Sequence, residues 1–449
     1  MRFGEAPSAI PFAPHRSAAR LDPYWDGVWQ FGAHAQWVTR EHSERLEAAG
    51  IAARRPRHLR TDPVVAAGRV DADWDAKLNL LGVLSSWRTV TAEQAAAFTN
   101  QGTSSAAAAR VVGDLFALDV VDTGAIWTPG GAGAEASRAM MLRPSASPVF
   151  DRLLRPRMSY AEWVSVTGGM RFLTGGQYDR HNVLTAELAL RAAEFLPVGT
   201  VLGERQSQVN TLAYTSVGVP EPPGRSQQTA DAVLVRPDGL RIAVEMTASV
   251  GATGFARKAE MWARTLARRP LADTGLVVVF VVADRVGDGH GMGQSMGNSV
   301  RKKVARAVRL NPGVASNRTA ERMFVVDWQD WFPSRGELAD DFLWLRAQRP
   351  TGLNGAWEVA DLLDVLDVPS PDRMVDATAV IGNAAGLRSV PFQLRDVPHP
   401  PVHDLPLQRA GFEEVPHIQV DPRSGAPRDD VTRPRGSARK IKVPARLRF

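Results

Sequence analysis

The run Gly275-Leu-Val-Val-Val-Phe-Val-Val-Ala283 constrains this chain more than any other feature. Five of its residues are valine, whose branched β-carbon favours extended backbone over helix. The run has no polar alternation, so a strand made from it has both faces buried. That places it at the centre of a parallel or mixed sheet with helices packed on it. It is too short to cross a bilayer, which takes about 20 apolar residues. The chain of 449 residues is 44% hydrophobic and 23% charged, a balance that suits a soluble α/β protein of two or three domains. With no cysteine, disulfides, thiolate metal sites and cysteine nucleophiles are excluded. The N-terminus carries no apolar signal-peptide core, so the expected location is the cytoplasm.

The net charge of +6 permits a polyanionic partner without demonstrating one. The cations are clustered. Arg54, Arg55, Arg57 and Arg60 fall together, and Arg301, Lys302, Lys303, Arg306 and Arg309 share one predicted helix. The stretch 431–449 has seven cations, including Lys440 and Lys442, and no acid. It follows a Pro-rich segment, and both read as disordered. Such a tail is either a solubilising end or an arm for a phosphate backbone. Near the N-terminus, Trp25, Trp29 and Trp37 are spaced four and eight apart, as on a buried helix face.

Residues 73–127 outline a first module. Leu78, Leu81, Val83 and Leu84 mark one helix. Thr91-Ala-Glu-Gln94 is a capping box that opens a second. A third runs from Ser104 or Ser105 to Leu118. Val120–Val121, a turn at Asp122-Thr-Gly124 and Ala125–Trp127 then suggest a two-stranded ribbon. Three helices and a ribbon make a winged helix-turn-helix. Its third helix offers Arg110 as the one cation, with Ser104 and Ser105 placed for phosphates or base edges. The other use of such a module is dimerisation or domain packing. The Gly-rich segment 160–180 reads as a junction.

A second module follows. A helical pattern over 181–195 carries Glu187, and Val201-Leu-Gly-Glu204 ends a strand in a carboxylate. Ala230–Val235 and Leu240–Thr247 are strands joined by the turn Arg236-Pro-Asp-Gly239. Arms of equal length bring Asp231, at the start of one, to the same end as Glu245 on the other. Period-two alternation sets Glu245 and Thr247 on one face and Val244 and Met246 on the other. Two carboxylates meeting at a sheet end suit a hydrated Mg²⁺ (or Mn²⁺). An amphipathic helix over 254–266 with Phe255, Ala259, Trp262 and Leu266 on one face comes next, then the apolar strand, a basic helix and a last strand at Met323–Asp327. Gly287–Gly293 matches neither a dinucleotide fingerprint nor a P-loop.

This order resembles the PD-(D/E)XK nuclease superfamily, with an acid on the leading helix and Asp and Glu on successive strands. Over residues 75–330 the chain is similar to the replication-relaxation family of plasmids and integrative elements, in which a winged helix precedes a nuclease-like domain. His181, Glu204, the strands TADAVLV and IAVEMTAS, Lys258 and VVVFVVADR carry the likeness. The resemblance implies Asp231 and Glu245 as metal ligands, with Glu187 or Glu204 supporting them. The superfamily places Lys two residues after the Glu; this chain has Thr247, and Lys258 is the candidate replacement.

The expected layout is an N-terminal extension (1–70), a winged helix (71–150), a nuclease-like α/β domain with a mixed sheet (175–335), a small helical extension with a helix around Trp357–Leu366 (336–395) and a disordered basic tail (396–449). The expected function is DNA binding for a plasmid, phage or integrative element, with Mg²⁺-dependent cleavage or nicking. The alternatives are a DNA-binding replication, transfer or regulatory protein without catalysis, and a structural protein of a larger nucleoprotein assembly, with self-association open in each case.

Overall fold

The computed structural model describes residues 20–51, 55–99, 106–128, 139–167, 171–172, 178–198, 200–209, 229–236, 238–248, 254–284, 296–351, 356–371, 419–420 and 427–428. The fold is mixed α/β, and among the described residues no helix is long and apolar enough to cross a membrane.

The N-terminal half opens with β1 (His34–Val38), α1 (Arg40–Ala48) and the short α2 (Pro63–Gly68). Then come α3 (Trp74–Trp87), β2 (Val90–Thr91), α4 (Ala92–Thr99), α5 (Ala106–Ala117), β3 (Val121–Trp127) and β4 (Met141–Pro144). The capping box forms: Gln94 N–H donates to Thr91 Oγ1 at 3.1 Å, and Thr91 N–H donates to Gln94 Oε1 at 3.0 Å. The two-stranded ribbon forms at other bounds, between Val121–Trp127 and Met141–Pro144 and not within 120–127. Val121–Trp127 is one unbroken strand, because the distant β1 pairs with it along its length, and β4 pairs on its other side. The resulting sheet has the order β1-β3-β4-β2. Trp25 and Trp29 lie in turns and Trp37 in β1, so the three do not share a helix face. Two of them are separate anchors: buried Trp29 donates from Nε1 to Ala283 O at 3.0 Å, and half-buried Trp37 donates to Asp179 Oδ2 at 2.7 Å.

The segment read as a junction contains α6 (Tyr160–Thr167). After it come α7 (Asp179–Phe195), β5 (Thr200–Gly203), β6 (Ala232–Val235), β7 (Arg241–Thr247), α8 (Gly254–Arg268), β8 (Leu276–Val282) and α9 (Met296–Leu310). A hairpin of β9 (Gly313–Val314) and β10 (Asn317–Arg318) leads to β11 (Met323–Asp327), β12 (Arg346–Pro350) and β13 (Trp357–Asp361). The main sheet has seven strands in the order β13-β12-β11-β8-β7-β6-β5. β7, β8 and β11 are parallel, and the flanking pairs are antiparallel. The apolar run supplies β8, buried along its whole length at the centre. The helix expected around 357–366 is instead strand β13: β12 offers a free edge, and pairing with it satisfies backbone groups that a short isolated helix would leave open. The tail expected to be disordered holds one short ladder, Gln419–Val420 with Pro427–Arg428.

Two cores sandwich the sheet. Ile242, Val244 and Met246 of β7 join Val277, Val279 and Val281 of β8 in a core shared with α3, α4, α5 and α7. Ala243, Val278, Phe280 and Val282 face the other way, against Phe255, Ala259 and Trp262 of α8 and Val300 and Val304 of α9. The helical N-terminal half therefore packs into the sheet's own core. Gly203 at the end of β5 marks the contact: a Cβ there would lie 2.7 Å from Ser86 O of α3.

Candidate active site

The β6–β7 hairpin sets the first two residues. Its register pairs Ala232 with Val244, and Asp231 N–H donates to Val244 O at 3.0 Å. Continuing that register brings Asp231 opposite Glu245. The Asp231 carboxylate is held at the sheet rim, where Met246 N–H donates to its Oδ2 at 2.7 Å.

Helices on the two faces supply the remaining groups. Lys258 and Trp262 are one turn apart on α8, so both reach the same glutamate. Trp262 donates from Nε1 to Glu245 Oε1 at 2.5 Å, and Lys258 Nζ donates to Glu245 Oε2. The same ammonium lies 3.9 Å from Asp231 Oδ2. From the first turn of α7, His181 Nε2 lies 3.2 Å from Asp231 Oδ1. The site is graded in access: side-chain exposure is 1% for Glu245, 16% for Asp231, 21% for His181 and 34% for Lys258.

Electrostatics follow from this gradient. Burial pushes Glu245 up, to about 7; Lys258 opposes the shift, while the nearby charge of Asp231 adds to it. Burial also works against ionised Asp231, but His181, Lys258 and the Met246 amide outweigh it and hold that carboxyl below its ordinary value. Burial lowers Lys258 and His181, and their carboxylate partners overcome it and raise both.

Glu204 borders the group without joining it. It pairs with Arg88 at 2.9 Å, accepts from Thr229 Oγ1 at 3.4 Å, and lines a void of about 10 Å³ together with Trp87, His181, Asn182, Thr185 and Asp231. Glu187 lies elsewhere, although the resemblance sets it beside the acids. It is buried on α7, where it accepts from Arg20 at 3.2 Å, Arg191 at 3.1 Å and Gln94 at 3.2 Å. Its side chain serves the packing of the N-terminal segment onto α7. Thr247, at the superfamily's lysine position, is buried. The structure adds His181 and Trp262 to the site: the sequence marks His181 only through the resemblance and Trp262 only as a member of the apolar face of its helix. Its place four residues after Lys258 was the available signal.

The expected DNA-contact residues fall into three groups. Ser104, Ser105, Lys440 and Lys442 lie outside the described residues. Arg110 is tied to Asp73 at 2.8 Å, and the rest of α5 from Val111 onward is buried. The Arg57–Arg60 turn covers that helix so closely that a Cβ at Gly113 would come within 2.1 Å of His58 O. Among the described residues of that helix, Arg110 is the exposed one. On α9, Arg301 pairs with Asp327 at 2.7 Å and reaches Gln348 at 2.9 Å, Lys303 is half-buried, and Lys302 and Arg306 are exposed.

Among the described residues, no group of three or more His, Cys, Asp or Glu side chains is placed to hold a metal ion. Asp231 and Glu245 nevertheless offer the oxygen donors that Mg²⁺ or Mn²⁺ takes, since such ions need only one or two carboxylates beside water. Lys258 is the positive charge that they share. Comparison with protein-family models, curated proteins and solved structures finds no match.

Proposed function

We propose that this chain is a DNA-binding protein of a plasmid, phage or integrative element whose sheet domain cleaves or nicks phosphodiester bonds with Mg²⁺ or Mn²⁺. One observation carries the reading: Asp231 and Glu245, opposite each other across a hairpin, share the ammonium of Lys258. Three supports accompany it. The element order α7-β5-β6-β7-α8-β8 is the order expected of a PD-(D/E)XK module. Lys258 supplies from the helix the charge that Thr247 cannot supply from the strand. Lys302 and Arg306 are exposed cations on α9 in the same module.

In this reading Asp231 and Glu245 hold the divalent ion, which when bound activates water and offsets phosphoryl charge. The Met246 amide and His181 fix the direction of the Asp231 carboxylate. Trp262 holds one oxygen of Glu245. Lys258, released from the carboxylates, donates to the attacking water or a phosphoryl oxygen. The test is nicking of supercoiled plasmid with Mg²⁺ or Mn²⁺. Wild type cuts and Asp231→Ala does not; equal cutting by both removes these residues from the mechanism.

A second reading is a DNA-binding protein for replication, transfer or regulation that has kept the scaffold without cleavage. It is favoured by the occupancy of Glu245, whose two oxygens are both engaged by Trp262 and Lys258. Retained DNA binding with no cutting under either ion selects it.

A further inference from the structure

Helix α3 ends beside the carboxylate site in a turn of strained geometry. Arg88 has φ 60° and ψ −57°, and Thr89 N–H donates to Trp87 O at 2.6 Å. This is the γ-turn of positive φ, a rare reversal that strains any residue but glycine. Its neighbours fix it in place. Trp87 stacks on Phe98 with ring centroids 4.9 Å apart, and Thr89 Oγ1 donates to Asp179 Oδ1 at 2.7 Å. Asp179 opens α7, the helix that brings His181 to Asp231. Ser86 is pressed on Gly203, the residue before Glu204. The turn is therefore wedged between the elements that carry His181 and Glu204, and Trp87 lines the void beside Asp231.

Backbone strain persists only where the surrounding structure fixes it, and it gathers where a side chain has to be aimed. The partner that Arg88 has in this structure does not account for the aim. Its Nε lies 2.9 Å from Glu204 Oε2 without the alignment of a hydrogen bond, and the two side chains are 30% and 23% exposed. An ion pair this open contributes little. Glu204 also feels a second guanidinium. Arg205, next in the chain, donates to Arg171 O at 2.5 Å, and burial and then Arg88 lower its pKa while Glu204 opposes them. Two guanidiniums thus share one carboxylate at this rim. A phosphate accepts from a guanidinium fork through two oxygens, a fit that the unaligned glutamate does not give.

We propose that Arg88 is a DNA-binding residue of the carboxylate site, exchanging Glu204 for a backbone phosphate next to the one that is cut. The helical half then holds the substrate at the sheet's acids through the α3–β2 turn and not through α5. The proposal rests on the DNA reading above.

The test is binding of the full chain to a fluorescein-labelled DNA duplex, read by anisotropy over a range of salt, with melting temperature measured alongside. Arg88→Gly relieves the turn and removes the guanidinium. It melts at or above wild type, binds DNA about tenfold more weakly, and lowers the slope of log affinity against log salt by about 1. Arg88→Lys keeps the slope, because an ammonium still neutralises a phosphate. Arg88→Gln loses as much slope as the glycine variant and decides alone if that variant does not fold. A lower melting temperature with an unchanged slope marks a purely structural arginine and overturns the proposal. So does an equal loss of slope from Arg110→Ala, which removes the same charge from the same half. Absence of DNA binding by wild type ends the DNA reading and this proposal with it. Wild-type binding whose slope neither Arg88→Gly nor Arg88→Gln changes ends this proposal alone.

Discussion

Glu187 and Glu245 are both fully enclosed carboxylates, and their surroundings make them opposites. Glu187 lies on α7 between Arg20 and Arg191, with Gln94 donating as well. Burial works against its charge, but the two guanidiniums prevail and hold its pKa below the ordinary value. Glu245 lies at the sheet rim with one lysine, and that lysine is shared with Asp231. Burial prevails there, and the carboxyl is pushed up to about 7. Enclosure alone therefore says little about role. What separates the two is the number of cations touching the carboxylate itself, two against one, and the nearness of the solvent boundary. A compensated acid holds elements together, whereas an acid short of positive charge can exchange its partner for another cation.

The comparison breaks most visibly at Glu187. Replacing it with Ala removes the buried acceptor shared by Arg20, Arg191 and Gln94, leaving Arg20 with Glu194 and Arg191 with Asp22. Stability falls by about 3 kcal/mol in urea unfolding. A loss below 1 kcal/mol would mean that this cluster is not structural. Under the proposed function, Lys258→Met comes next in size. Nicking drops about 10²-fold, as for loss of a group aimed at developing charge. Rescue by Lys258→Arg would show that charge suffices without the lysine's geometry.

Stability against pH separates the two glutamates by sign. Glu187 has its folded pKa below the ordinary 4.5, so its contribution is present above 4.5 and is lost as pH falls through the folded value. Glu245 has its folded pKa raised to about 7, so the folded state keeps a proton that the unfolded chain releases above 4.5. Its contribution is full below 4.5 and declines as pH rises to about 7. His181, raised above 6.5, adds a later decline of the same sign. Glu245→Gln therefore flattens the decline between about 4.5 and 7 and leaves the acid limb intact, as followed by melting temperature. An unchanged slope would show that Glu245 is ionised throughout.

Two smaller effects sharpen the contrast between α9 and α5. Lys302→Ala with Arg306→Ala lowers the slope of log affinity for DNA against log salt by about 2 if both meet phosphates. Arg110→Ala leaves that slope unchanged and alters stability by less than about 0.5 kcal/mol, because its pairing with Asp73 is largely exposed. A larger salt effect from Arg110 would return the DNA contact to α5.

Local pattern by itself determined strands β6, β7 and β8 and the pairing of β6 with β7. Unbroken valines demand burial on both faces, which made β8 central. The turn at Arg236–Gly239 with equal arms placed Asp231 across from Glu245, because alternation and register are properties of adjacent residues. The α8 face was legible for the same reason. Tertiary structure decided which charges meet. Glu187 has the spacing of a leading-helix acid, yet Arg20, remote in the chain, claims it. Helix α5 has the spacing of a recognition helix, yet the Arg57–Arg60 turn covers it. Residues 357–361 carry no strong periodicity, and the open edge of β12 makes them a strand. Periodicity reports which face of an element is buried. The partner that buries it comes from elsewhere in the chain, and only packing in three dimensions selects it.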